Sequence, residues 1–164
     1  MNNSIRIAKA YWIWGLFPSN ESIFLNNLQS QVQKVLKSPR FAVHITLCGP
    51  YLNLDETFIK KLNTLSKNYN PVSIDVNGYD HTIEPYESFY ISIKNSEELN
   101  KLRMNIIKLK KFNFRRNYSP HISLTYGLHD TKEKEILTSK LPKLQKYLEI
   151  SSIALVKVDE NIKL

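Results

Sequence analysis

Two tripeptides in this chain place an imidazole beside a hydroxyl: His44-Ile45-Thr46 and His121-Ile122-Ser123. Each sits in a longer stretch, 41–48 and 119–126, whose β-branched and apolar residues alternate with polar ones at period two, the signature of a half-buried strand. In the first stretch Phe41, Val43, Ile45 and Leu47 point one way, and Ala42, His44, Thr46 and Cys48 the other. In the second, Ile122 and Leu124 oppose His121, Ser123 and Thr125. Each strand therefore offers an imidazole and a hydroxyl on one face, ~6.6 Å apart along the backbone. One such tripeptide is more often a surface or satisfied core feature than a site. Two copies, nearly half the chain apart, imply two lobes of similar build, each contributing one polar pair.

Two imidazoles facing across a cleft suit phosphodiester hydrolysis. One accepts a proton from the attacking water, and the other gives a proton to the leaving sugar oxygen; the histidine pKa lies near neutrality and serves both tasks. Thr46 and Ser123 can donate hydrogen bonds to the non-bridging phosphate oxygens and stabilise the charge that builds there. No cofactor is expected. Nor is a metal: four histidines and one cysteine lack zinc-ligand spacing, and no acidic cluster is present.

Composition narrows the partners. The 164 residues suit one domain with a sizeable core. A formal net charge of +8 favours anionic partners: nucleotides, RNA or a phosphorylated metabolite. The partner expected is a small anionic nucleotide, with short RNA or an oligonucleotide as the alternative. The lysines are spread along the helices, which argues against a long nucleic-acid groove. No 18-residue apolar run is present, so no membrane span is expected, and the N-terminus lacks a signal-peptide pattern. Cys48 is the only cysteine, so no intrachain disulfide can form. A monomer in a reducing, cytoplasmic compartment is expected. Cys48 also raises a nucleophile reading, which its position between Leu47 and Gly49-Pro50 disfavours.

The elements that must carry the motifs follow from periodicity. A strand is expected over 5–17, with Trp12 and Trp14 on one face, either in the core or stacked on a ligand ring. A helix over 20–37, capped by Ser19 or Asn20, has the stripe Phe24, Leu25, Leu28, Val32, Val35 and Leu36. A turn at Gly49-Pro50 leads to a helix over 55–67. A strand from Val72 contains Asn77-Gly78, read as a bulge, with the true turn at 84–87. A strand over 89–94 precedes a helix capped by Asn95. Residues 110–118 form a basic, aromatic loop, either a phosphate-side lid or a solvated connector. A short helix from Thr131 and a final strand over 147–158 complete the chain. This order lacks regular βαβ alternation and points to α+β, with helices packed outside antiparallel sheets.

His44-Ile45-Thr46-Leu47 and His121-Ile122-Ser123-Leu124 resemble the paired motifs of the 2H phosphoesterase superfamily. Tyr11-Trp12-Ile13-Trp14-Gly15-Leu16, Pro39-Arg40-Phe41, Pro120, Tyr126 and the closing 153–157 stretch are similar to the plant- and fungal-type cyclic phosphodiesterases. The resemblance implies one domain over 1–164, bilobal and pseudo-two-fold, with two antiparallel sheets lining a central cleft and one His motif per lobe. It implies hydrolysis of a 2′,3′-cyclic nucleotide or of ADP-ribose 1″,2″-cyclic phosphate to a monoester, with His121 as general base and His44 as general acid. It places Trp14 and Tyr126 near the ligand. Tyr126 fits this poorly by alternation, because it should share a face with Ile122 and Leu124. Three other functions remain open: degradation of an oligonucleotide or cyclic-nucleotide immune signal, ligation or processing of RNA 2′,3′-cyclic ends, and non-catalytic nucleotide binding.

Overall fold

The structure, a computed structural model, describes residues 9–110 and 117–159. Its elements run β1 (Ala10–Leu16), α1 (Ser19–Leu36), β2 (Ile45–Tyr51), α2 (Glu56–Asn68), β3 (Val72–His81), β4 (Phe89–Ile93), α3 (Glu97–Leu109), β5 (His121–Thr125), α4 (Thr131–Lys140), β6 (Tyr147–Ile150) and β7 (Ser152–Val158). The fold is α+β. All strand pairings are antiparallel, in the spatial order β6-β3-β4-β5-β2-β1-β7.

Two lobes are visible in that order. β4 and β5 of one lobe, flanked by β3, match β1 and β2 of the other, flanked by β7; β6 has no counterpart. Each lobe carries a helix between its inner pair, α3 between β4 and β5 and α1 between β1 and β2. The pseudo-two-fold relation passes between β2 and β5, which share a single ladder pair, Ile45↔Ile122. These are the residues directly after the two motif histidines.

β6 and β7 lie at opposite ends of the strand order, yet Ser151 alone separates them in sequence. Consecutive Cα atoms are ~3.8 Å apart, so the two ends of the sheet must approach each other. The sheet is curled, and Ser151 is its corner, with its N–H donating to Leu16 O at 2.9 Å. Gly15 makes the corner compact. A Cβ there would stand 2.8 Å from Cγ2 of Ile45 and 2.9 Å from Cγ2 of Ile150.

The apolar stripes form one buried cluster that includes Leu25, Leu28 and Val32 of α1, Phe58 and Leu62 of α2, and Leu99, Leu102 and Ile106 of α3. Several sequence expectations shift. α1 begins after Pro18 with no side-chain cap. Val35 is exposed. Ser96, not Asn95, caps α3 by accepting from Leu99 N at 3.2 Å. The 49–50 turn is absorbed into β2, and the 147–158 strand is two strands. The irregularity between Val76 and Gly78 is the expected bulge. The turn at 84–87 is closed by Glu87 N donating to Glu84 O at 3.1 Å. Of the expected first strand, residues 5–8 lie outside the described residues, as do 111–116 of the basic loop.

Candidate active site

The first motif strand does not pair over its whole length. Residues 41–44 have no ladder partner among the described residues, and β2 begins at Ile45. Without a partner the alternation breaks: Val43, His44 and Ile45 are buried in succession. His44 is still aimed by a local bond, Nδ1–H donating to Ala42 O at 2.7 Å. His121 repeats the arrangement with Ser119 O at 2.8 Å. A carbonyl oxygen can only accept, so both rings carry their proton on Nδ1 when neutral and leave Nε2 as the free, reactive nitrogen. The two equivalent strands thus present their histidines in the same tautomer by the same i−2 bond.

Cross-strand register places the other polar residues. Directly opposed residues share a face. Trp14 stands opposite Thr46 in one lobe, and Tyr90 stands opposite Ser123 in the other. These aromatics also touch the histidines. Trp14 stacks on His44, with ring centroids 3.6 Å apart and planes 10° from parallel. Tyr90 meets His121 at 5.1 Å and 55°. Tyr90 was not legible as a site residue, because its equivalence to Trp14 depends on long-range pairing. The one local signal was the alternation of Tyr90 and Ser92 against Phe89, Ile91 and Ile93. The Tyr90 hydroxyl is hydrogen-bonded to Asp80 opposite it, and burial, then that carboxylate, push its pKa up to about 12.

Tyr126 reaches the site by leaving the strand. β5 ends at Thr125, which frees Tyr126 from strand alternation. Burial pushes its hydroxyl pKa up to about 12, a shift that the neighbouring Ser123 hydroxyl opposes. Phe41 stacks on its ring at 4.1 Å, and Tyr86 meets it edge-on at 6.2 Å. Two residues assigned to the polar faces belong to the core instead. Thr125 is fully buried opposite Phe89, where the β4–β5 register shifts. Cys48 is buried opposite Ile13, and burial raises its thiol pKa to about 12, which removes the nucleophile reading.

Burial sets the charge state of His44. Burial pulls the His44 pKa from 6.5 to about 4; its bond to Ala42 O opposes the shift, and the charge of His121 adds to it. His44 is therefore neutral in the free protein near pH 7. Among the described residues no group of three His, Cys, Asp or Glu side chains could hold a metal ion, and no helix is long and apolar enough to cross a membrane.

No curated protein matches this chain. Among solved structures it is similar to LigT of E. coli complexed with 3′-AMP, at 12% identity and TM-score 0.61, covering 90% of this chain and 86% of that one. It is also similar to LigT of E. coli in apo form, at 9% identity and TM-score 0.56, covering 90% and 85%. A structure described as a phosphoesterase matches at 10% identity and TM-score 0.52, covering 92% and 95%. At these identities the likeness shows the fold. The family model of the 2′-5′ RNA ligase superfamily matches residues 17–162, a span that holds both histidine motifs. The chain belongs to the 2′-5′ RNA ligase superfamily, the 2H phosphoesterases.

Proposed function

We propose that this protein is a metal-independent cyclic phosphodiesterase. It opens a small nucleotide cyclic phosphate, either a 2′,3′-cyclic nucleotide or ADP-ribose 1″,2″-cyclic phosphate, to a phosphomonoester. The observation that carries this reading is the matched pair of histidines, each pinned through Nδ1 to the carbonyl two residues back and each followed by a hydroxyl. Binding alone would not require both. The similarity to LigT, whose structure holds 3′-AMP, supports a phosphorylated nucleoside as ligand. The stretch 11–16 and Tyr126 support the plant- and fungal-type cyclic phosphodiesterases as the nearest subfamily.

The phosphate sits across the seam between β2 and β5. Thr46 and Ser123 donate to its non-bridging oxygens. One histidine takes a proton from water as its oxygen attacks phosphorus. The other protonates the sugar oxygen as the ring P–O bond breaks. Burial bears on which does which. A general acid must be protonated before the step, and the surroundings of His44 disfavour its imidazolium. We therefore assign His44 as base and His121 as acid, the reverse of what the resemblance alone implies. Trp14, Tyr126 and Tyr90 wall the site and present ring faces to a nucleoside.

The test is a substrate panel followed by phosphorus NMR: 2′,3′-cyclic mononucleotides, ADP-ribose 1″,2″-cyclic phosphate, 2′–5′ oligoadenylate, cyclic oligonucleotides, and RNA with 2′,3′-cyclic ends. Conversion of one of the first two to a monoester without added metal is expected. Turnover of the oligonucleotides or RNA alone would replace this reading with signal degradation or RNA-end processing. No turnover of any member would sink it.

A further inference from the structure

The proposed reaction needs both motifs on one phosphoryl group, so the relative placement of β2 and β5 sets the rate. Yet the ladder joining them is the single pair Ile45↔Ile122. One pair fixes a point and leaves the strands free to pivot and slide about it. Packing of α1 against β5 closes the apolar side of the seam. A second attachment between the lobes is needed to fix the register.

Two residues of the β4–β5 lobe supply it, and both grip the backbone of the first motif. The Tyr118 hydroxyl donates to Thr46 O at 2.9 Å. Arg103 of α3 donates through Nε to Leu47 O at 2.8 Å. The guanidinium lies flat on the Tyr118 ring, 3.3 Å from its centroid. Arg103 is 9% exposed, and no carboxylate pairs with it among the described residues. Cation–π contact and a backbone carbonyl are what hold this buried charge. Tyr118 in turn lies one residue before Ser119, whose carbonyl fixes the His121 ring. A continuous path therefore runs from the Thr46 carbonyl through the Tyr118 hydroxyl and the 118–119 backbone to the imidazole of His121.

From this geometry we infer that Tyr118, braced by Arg103, is a positioning residue that locks the spacing of the two histidine motifs across the seam. It touches neither proton. Its hydroxyl supplies the off-axis contact that converts a pivot into a fixed register, and misplacement on the scale of 1 Å is enough to lower a rate ~10²-fold. The inference rests on the proposed two-histidine reaction.

Tyr118→Phe removes one hydroxyl and keeps the ring under Arg103. Arg103→Lys is the second variant, because it keeps the charge but loses the planar brace. Each is compared with the wild type in thermal unfolding, in kcat and KM on the best cyclic phosphate of the panel, and in affinity for a uridine–vanadate complex, which imitates five-coordinate phosphorus. Expected for Tyr118→Phe is a kcat lower by ~10-fold or more, KM within ~2-fold, and vanadate-complex affinity lower by ~10-fold, in a protein that still unfolds cooperatively. The pH limbs should keep their positions while the plateau drops. A variant that loses melting temperature but keeps kcat and vanadate affinity would show Tyr118 to be structural only and overturn the inference. Should the wild type hydrolyse nothing, the proposed reaction fails separately, and equal vanadate affinity in wild type and Tyr118→Phe overturns the positioning role as well.

Discussion

Trp14 and His44 lie face to face, their ring centroids 3.6 Å apart and their planes 10° from parallel. The indole covers one face of the imidazole and contributes to the burial that keeps it neutral. The equivalent pair across the seam, Tyr90 and His121, is tilted by 55° at 5.1 Å. A pseudo-symmetric scaffold thus holds two chemically identical side chains in different environments, and different environments separate an acid from a base.

Burial of neutral His44 makes stability depend on pH. Its pKa falls from 6.5 to about 4 on folding, so the unfolded chain binds the extra proton between those values. The contribution is fully present above pH 6.5 and is lost as pH drops toward 4. Between pH 7 and pH 5 this predicts a loss of about 2 kcal/mol from this residue. Urea unfolding at the two pH values measures it, and His44→Gln should remove that share of the loss. An unchanged pH dependence in His44→Gln would show that His44 is not the buried neutral base described.

Removal of either imidazole should be severe. His44→Ala and His121→Ala are each expected to lower turnover at least ~10²-fold while remaining folded. Thr46→Ala and Ser123→Ala should cost ~10–10³-fold, one phosphate donor each, with no recovery by added metal or higher pH. Near wild-type turnover in either histidine variant ends the two-histidine mechanism.

Leaving-group chemistry separates the roles. A nitrophenyl phosphodiester leaves without needing a proton, so only the general acid becomes dispensable. With His121 as acid, His121→Ala should keep much of its remaining activity on that substrate, while His44→Ala stays inactive on both. Rescue of His44→Ala instead would reverse the assignment. Rescue of neither would mean that both rings act by holding the phosphate.

Gly15 should resist even a methyl group. A Cβ added there would meet two buried isoleucines, Ile45 and Ile150, at under 3.0 Å, and the atoms it meets are branch methyls close to the backbone. Overpacking costs ~1–3 kcal/mol. The alanine gain from a less flexible unfolded chain is only ~0.4–1 kcal/mol. Gly15→Ala is therefore expected to be less stable in denaturant melts. A more stable variant would show that the corner has room.

Much of this was legible in the chain, because local periodicity reports what is local. The stripes of α1, α2 and α3, the bulge before Gly78 and the turn at 84–87 all follow from neighbours in sequence. So did β2 and β5 as the strands that carry the two motifs. What failed depends on pairing. The alternation of 41–48 suggests one continuous strand, but no partner among the described residues reaches 41–44, so His44 turns inward beside Val43. The 147–158 stretch holds no turn residue that marks a break, yet its halves pair with β3 of one lobe and β1 of the other. Tyr90 gained its meaning only from standing opposite Ser123.

The Ser151 corner also decides when the protein can be finished. The lobe that holds the first histidine needs β7 laid against β1, and the strands of the other lobe all lie between them in sequence. Until residues 152–158 emerge, β1 is an unpaired edge open to other chains. Cutting the chain midway between the motifs cannot release two self-sufficient halves, because one lobe is assembled from stretches on both sides of the cut. Nascent chains should accordingly stay protease-sensitive in this lobe until β7 has been made, whatever the state of the lobe that carries His121.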